Sequence, residues 1–214
     1  MNRGRFIAFE GGEGMGKSTQ ARMLAEKLER WGRAVELTRE PGGTPGAEAI
    51  RELLLAPPGE GWPPAAEALL FAAARADHVA RRIRPALEAG TWIVCDRFID
   101  SSRAYQGIAG GLGDDSVNAL HRVGSDGLLP DLALLIDAPI AAASERLARR
   151  DGDTSDAIGG RATEYHEAVN AAFRDFADAE PERFAVIDGS GSIEDVHERV
   201  IAVMRSRFEE FARC

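Results

Sequence analysis

Gly11-Gly12-Glu13-Gly14-Met15-Gly16-Lys17-Ser18 is the stretch that decides the architecture of this chain. It fits the spacing G-x-x-x-x-G-K-[ST]. Just before it, Arg5-Phe6-Ile7-Ala8-Phe9 is a short apolar run that reads as a buried strand. After it, Ala21, Leu24, Ala25, Leu28 and Trp31 recur at helical spacing, and Gly32 stands where a C-terminal cap belongs. Strand, glycine-rich turn and helix are the context this spacing requires. The glycines let the backbone curl until its N–H groups converge on phosphate oxygens, and the helix N-terminus adds partial positive charge. Lys17 is expected to reach the β- and γ-phosphates of a nucleoside triphosphate, and the Ser18 hydroxyl to ligate Mg2+.

The same alternation continues along the chain. Strands are expected at Ala34–Leu37, Trp92–Cys95, Leu132–Ile136 and Phe184–Ile187. Helices are expected at Ala47–Leu55, Pro64–Ala89, Asp115–Val123, Pro139–Arg150, Glu164–Ala179 and Ile193–Phe211. Gly107 to Gly113 reads as a turn, with Ser101 as the cap of a helix before it. The strands are continuous apolar runs, as they are when both faces of a parallel sheet are covered. The expected fold is therefore α/β. It is a five-stranded parallel sheet flanked by helices, in one domain over residues 1–214 with a short mobile lid at about 150–161. Ligands of such sheets sit beyond the carboxyl ends of the strands.

Composition narrows the function. Hydrophobic residues make up 44% and charged residues 29%, which excludes a mainly disordered chain. A net charge of −9 argues against a basic nucleic-acid-binding surface, so positive charge for an anionic ligand must be gathered locally. Lys17 and Lys27 are the only lysines. Cys95 and Cys214, far apart in sequence, make neither a disulfide framework nor a zinc site. With no apolar run of membrane-spanning length and no cleavable signal, the expectation is a soluble cytoplasmic protein with no membrane or nucleic-acid partner. No Asn-Lys-x-Asp guanine motif follows the loop, which disfavours a GTPase.

Two further sites follow from position. Asp96 and Arg97 end the third strand beside the loop, where a carboxylate can hold Mg2+ and a guanidinium can bind phosphate in paired fashion; a structural Asp–Arg pair is the alternative. Phe71 and Arg75 are four apart and share a helix face, where a ring can stack on a pyrimidine and an arginine can donate to a base carbonyl; taken alone, Phe71 reads rather as core packing.

Four stretches in this order resemble the thymidylate kinase family over nearly the whole chain. They are Phe9-Glu10-Gly11-Gly12-Glu13-Gly14-Met15-Gly16-Lys17-Ser18-Thr19, Thr38-Arg39-Glu40-Pro41-Gly42-Gly43-Thr44, Leu69-Leu70-Phe71-Ala72-Ala73-Ala74-Arg75, and Asp96-Arg97-Phe98 followed by Ser101-Ser102-Arg103-Ala104-Tyr105-Gln106-Gly107. The resemblance implies phosphorylation of dTMP to dTDP with ATP and Mg2+, a step in dTTP synthesis, by a homodimer. It implies ATP binding by Gly11 to Thr19, metal binding by Ser18 and Asp96, and contact of Arg97, with Arg39 as a second candidate, to the acceptor phosphate. Phe71 and Arg75 then serve thymine, and Ser102, Tyr105 and Gln106 line the nucleoside pocket, Tyr105 disfavouring a 2′-hydroxyl. Glu13 lies between donor and acceptor, and Glu10 orients the loop.

One branch of the family places an arginine after the acidic loop residue. Gly14 stands there in this chain, which resembles the bacterial branch, where the lid supplies that arginine. The lid reads Asp156-Ala157-Ile158 where Asp-Arg followed by an apolar residue is usual. Arg149, Arg150 or Arg161 must substitute, or turnover is low; Arg161, beside Gly159-Gly160, is the expected catalytic one. The other readings are a kinase of another nucleoside monophosphate and a nucleotide-binding module that has lost catalysis.

Overall fold

The structure, a computed structural model, describes residues 3–139 and 157–211. Five strands, β1 (Phe6–Glu10), β2 (Val35–Arg39), β3 (Trp92–Asp96), β4 (Leu132–Asp137) and β5 (Phe184–Asp188), form one sheet. The order is β2-β3-β1-β4-β5 and every pairing is parallel. The helices are α1 (Lys17–Arg30), α2 (Pro45–Leu55), α3 (Pro64–His78), α4 (Arg84–Glu88), α5 (Ile99–Ser102), α6 (Asp114–Ser125), α7 (Thr163–Ala179) and α8 (Ile193–Arg207). The helix expected at Pro139–Arg150 and the lid before Ala157, with Arg149 and Arg150, lie outside the described residues.

Alternation along the central strands sorts the core. Ile7 and Phe9 of β1 and Leu134 and Ile136 of β4 pack on Leu24 and Leu28 of α1 and Val200 and Met204 of α8. Their neighbours point the other way. Phe6 and Ala8 meet Ile83, Leu87 and Phe98, while Ala133 and Leu135 meet Val169 and Phe173 of α7. Both faces of the sheet are thus covered by helices, which leaves its carboxyl edge for a ligand. Register then fixes the site: Phe9 pairs with Asp96, so β1 and β3 end level and their following loops meet.

Four expectations are corrected. The helix expected over Pro64–Ala89 is divided by a π-helical turn at Val79–Ile83. Ser101 is not a helix cap, and Gly107 is not in a turn: α5 runs into a second π-helical turn, Arg103–Ala109, that contains Gly107. Finally, α8 stops at Arg207 rather than Phe211, because Phe208 takes an extended conformation and turns its ring onto Trp92, with Phe211 stacking on Trp31 at 4.5 Å between centroids. Burial of two aromatic rings outweighs one more helical turn.

A buried carboxylate ties the carboxyl-edge elements together. Asp100 is fully buried and accepts from Arg183 at 2.6 and 2.8 Å and from Arg103 at 2.9 Å. Arg103 also binds Asp114 and Glu180, joining α5 to α6 and to the end of α7. Without these partners an ionised carboxylate could not remain inside.

Candidate active site

The phosphate loop begins where β1 ends. Gly11 has φ +133, and a Cβ there would lie 2.5 Å from the carbonyl oxygen of Ile136, so no other residue fits. Gly16, in the left-handed region at φ 91, precedes α1 and gives it no side-chain cap, and the first turn of α1 holds no acidic residue. Among the described residues, no carboxylate claims the first N–H groups of α1, which is what an anion site needs. The Lys17 ammonium donates to the Gly12 carbonyl at 2.6 Å. Burial, and then the nearby charge of Arg97, push its pKa down to about 8 against the pull of Glu13, Asp96 and Glu10.

Ser18 donates to Oδ2 of Asp96, while Oδ1 of Asp96 is buried with no hydrogen-bond partner among the described residues. A buried carboxylate oxygen left bare beside a hydroxyl, at the phosphate loop, fits a hard divalent cation that completes its shell with phosphate oxygens and water.

Arg97 occupies the left-handed region at φ 71. That costs a non-glycine residue about 1–2 kcal/mol. The guanidinium repays it with bonds to the Gly11 carbonyl (3.0 Å), the Ser101 hydroxyl (2.9 Å), Glu13 (2.6 Å) and the Tyr105 hydroxyl (3.2 Å). It also lies 5.0 Å from the Tyr105 ring centroid. Burial opposes its charge, but Glu13, Tyr105, Asp96 and Glu10 more than offset this and hold it charged above the usual range. Glu13 thus has the arginine partner that its place in a phosphate loop demands, and Tyr105 donates to it at 3.3 Å.

Glu10 shapes the turn that aims Arg97. Its fully buried carboxyl accepts from the Phe98 N–H at 2.9 Å and the Ser101 hydroxyl at 2.6 Å. Burial, and then the charge of Asp100, raise its pKa from 4.5 to about 7, with Ser101, Arg97 and the Phe98 N–H pulling the other way. A raised carboxyl pKa favours the folded state fully below about pH 4.5, and that contribution is lost as pH rises through about 7. Glu10→Gln removes this dependence. Between pH 5 and 8 the wild-type thermal midpoint should fall relative to the variant's by roughly 5–10 °C, the equivalent of about 3 kcal/mol in a chain of this size. Parallel midpoint curves would show that Glu10 is ionised throughout.

These groups line one cavity of ≈ 700 Å3 at the carboxyl edge of the sheet. Its walls include Glu13 to Thr19, Arg39, Phe71, Arg75, Asp96, Arg97, Ser102, Tyr105 and Gln106, so the structure brings nearly all of the expected site residues together. Gly11 and Gly12, at the start of the loop, do not line the cavity. Arg39 is exposed at the rim, its guanidinium held by Glu48. Phe71 does both of the things open to it, packing in the core with Tyr105 and Phe173 and facing the cavity.

Arg161 is the departure. It donates to Glu67 and to the Tyr165 hydroxyl, at the end of the cavity away from the phosphate loop, and does not line the cavity. A carboxylate and a phenol within reach capture the guanidinium there.

The far end of the cavity is a recess with defined hydrogen-bond polarity. Arg75 is buried and gives its Nε to Glu40 at 2.7 Å and its Nη2 to the Phe98 carbonyl and the Ser102 hydroxyl. Its Nη1 has no partner among the described residues. Gln106 gives its amide NH2 to Glu67 at 2.9 Å, and its amide oxygen has none among them. The recess therefore presents a donor and an acceptor among the apolar walls of Leu55, Phe71 and Ile158.

Sequence reasoning gave no role to Glu40, Glu67, Ile158 or the start of α8. Burial works against the charge of Glu40, but Arg75 and His78 hold its carboxyl below the usual range, and so Glu40 fixes Arg75. Glu67 had a signal: it precedes Phe71 by four residues and shares its helix face. So did α8, whose Ser192 and Asp195 form a capping box beside Gln20 and the loop.

A phosphate-loop spacing lies at one end of the cavity and an arginine-bearing recess at the other. That is the arrangement of a nucleotide phosphotransferase of the phosphate-loop class. Within that class, residues 9–200 match the thymidylate kinase family. Thymidylate kinase of Rhizorhabdus wittichii is 54% identical over 201 residues, covering 94% of this chain and 97% of the relative. That of Rhodopseudomonas palustris is 50% identical over 214 residues, covering 99% and 93%. The crystal structure of thymidylate kinase from Ehrlichia chaffeensis superposes with a TM-score of 0.77 at 34% identity, covering 94% of this chain and 99% of that one. The chain belongs to the thymidylate kinase family.

Proposed function

We propose that the cavity holds ATP over the phosphate loop and dTMP in the recess, and that the residues lining it carry out the family's reaction, phosphorylation of dTMP to dTDP in the supply of dTTP. The single observation that carries the residue assignment is the continuity of the cavity. It joins Lys17 and Ser18 to a recess where Arg75 offers a donor and Gln106 an acceptor, the complement of a carbonyl and ring N–H on thymine.

An oxygen of the dTMP phosphate, mostly dianionic near neutral pH, attacks the γ-phosphorus in line. The bond to the β–γ bridging oxygen breaks, and ADP leaves. Lys17 and the loop N–H groups hold the β- and γ-phosphates, and Arg97, charged and fixed by four partners, holds the acceptor phosphate. Ser18 and Asp96 would hold Mg2+, which when bound neutralises phosphate oxygen charge. Phe71 stacks on the base, Ser102 donates to it, and Tyr105 packs by the sugar. Arg39, at the rim, is a second phosphate contact. For Arg161 to join the transfer, as the lid reading expects, it must first leave Glu67 and Tyr165.

A homodimer is proposed with this reading. Leu69 of α3 and Val123 of α6 are exposed by 56% and 87%, on helices that pack closely at Gly124 against Ala72 and Ala76. No helix among the described residues is long and apolar enough to cross a membrane. The buried free thiol of Cys95 supports a reducing compartment, the cytoplasm.

ADP release measured with ATP, Mg2+ and a panel of dTMP, dUMP, CMP, GMP and AMP tests the assignment. The expected result is the highest kcat/KM with dTMP, by about tenfold or more over the others. A different leading acceptor, or ADP release independent of acceptor, would overturn it.

A further inference from the structure

Glu67 is 7% exposed and stands behind the recess rather than in its wall. One carboxylate oxygen accepts from the Gln106 amide NH2 at 2.9 Å, and the other accepts from the Arg161 guanidinium. Arg161 also donates to the Tyr165 hydroxyl, and that hydroxyl donates to the Tyr105 carbonyl at 2.6 Å, one residue before Gln106. The carboxylate is thus anchored at both oxygens, and the anchor returns to the segment that carries Gln106.

A glutamine amide has two ends of similar size and opposite polarity, and nothing in its shape decides which way it points. Here Glu67 decides. A carboxylate has no hydrogen to give, so only the NH2 end of Gln106 can face it, and the carbonyl end is left to the recess. Turned over, the amide would set oxygen against oxygen. We infer that Glu67, anchored by Arg161, is a positioning residue for nucleobase choice: it fixes the polarity of the Gln106 amide, so that the recess takes a pyrimidine with a ring N–H and rejects one with a ring-nitrogen lone pair. The favoured class is the thymine or uracil type, and the excluded class is the cytosine type. The inference rests on the reading of the recess as the dTMP site.

Glu67→Gln is the direct test, since it keeps the shape and supplies an amide that can meet Gln106 in either orientation. The expected result is a fall in kcat/KM for dTMP of about tenfold, carried mostly by KM, with the value for dCMP unchanged or higher, so that the dTMP:dCMP ratio narrows by at least about tenfold. Combined with Gln106→Ala, it should add nothing to the effect of Gln106→Ala alone. Equal falls for both substrates, or additive effects, would show a merely structural role and overturn the inference. If Gln106→Ala narrows the ratio and Glu67→Gln does not, the positioning role falls and the recess reading stands. If Gln106→Ala leaves the ratio unmoved, the recess reading falls and takes the inference with it. Should Glu67→Gln fail to fold, Arg161→Ala frees one carboxylate oxygen and should narrow the same ratio about threefold; an unmoved ratio overturns the inference by that route.

Discussion

Lys17→Ala is expected to lower kcat/KM by about 10³, with most of the loss in kcat. Lys17 is one of two lysines in the chain, is 6% exposed, and among the described residues its ammonium donates to the Gly12 carbonyl. Burial and the neighbouring Arg97 already hold its pKa down at about 8. An ammonium so placed gains more from an arriving phosphate than an exposed one, and gains most as charge spreads over the transferring group. The loop N–H groups and the N-terminus of α1 remain in the variant, so ATP affinity should fall by no more than about tenfold while turnover collapses. Lys17→Arg should not restore activity, because a planar, delocalised guanidinium does not replace the compact point charge of an ammonium. Steady-state kinetics with a parallel ATP binding isotherm make the check. A variant with kcat within tenfold of wild type would remove Lys17 from the transfer step.

Arg97→Ala should be comparably severe, on the order of 10³ in kcat/KM for dTMP, but with KM for dTMP rising as well as kcat falling. Two effects combine. The phosphate contact is lost, and Glu13, which Arg97 binds at 2.6 Å, loses that guanidinium while it faces an anionic ligand. The second effect can be isolated: adding Glu13→Gln to Arg97→Ala should recover part of the KM loss and none of the kcat loss. Arg97→Lys should recover little, since one ammonium cannot reach Gly11, Glu13, Ser101 and Tyr105 together. Recovery of kcat in the double variant, or full activity in Arg97→Lys, would mean that Arg97 only neutralises Glu13.

The part of this site that can be read from sequence is the part set by local spacing. The phosphate loop needs no tertiary context, because glycine positions, lysine and hydroxyl follow from what a phosphate requires of eight consecutive residues. Strand ends are nearly as legible, and with them Asp96 and Arg97. Contacts between elements were not legible. Glu40 reaches Arg75 across 35 positions, and Arg161 reaches Glu67 across 94; no pattern within either segment specifies the partner. Arg161 shows the cost of reading a loop alone. Two flanking glycines give it freedom to move, but the nearest carboxylate decides where it rests. The π-helical turns were missed for a similar reason, since their widened winding is imposed by packing rather than by propensity.

The wide turn at Arg103–Ala109 sets a rule for the length of this segment. Ordinary winding advances about 100° per residue, so a single deletion that let the stretch relax into an α-helix would rotate Gln106 away from Glu67 and swing the Tyr105 phenol off Arg97. Exchanges of one side chain for another leave that angular phase intact. The segment should therefore tolerate changes of spelling far better than changes of count, and grafts or loop redesigns across it must conserve the number of residues before they conserve their identity.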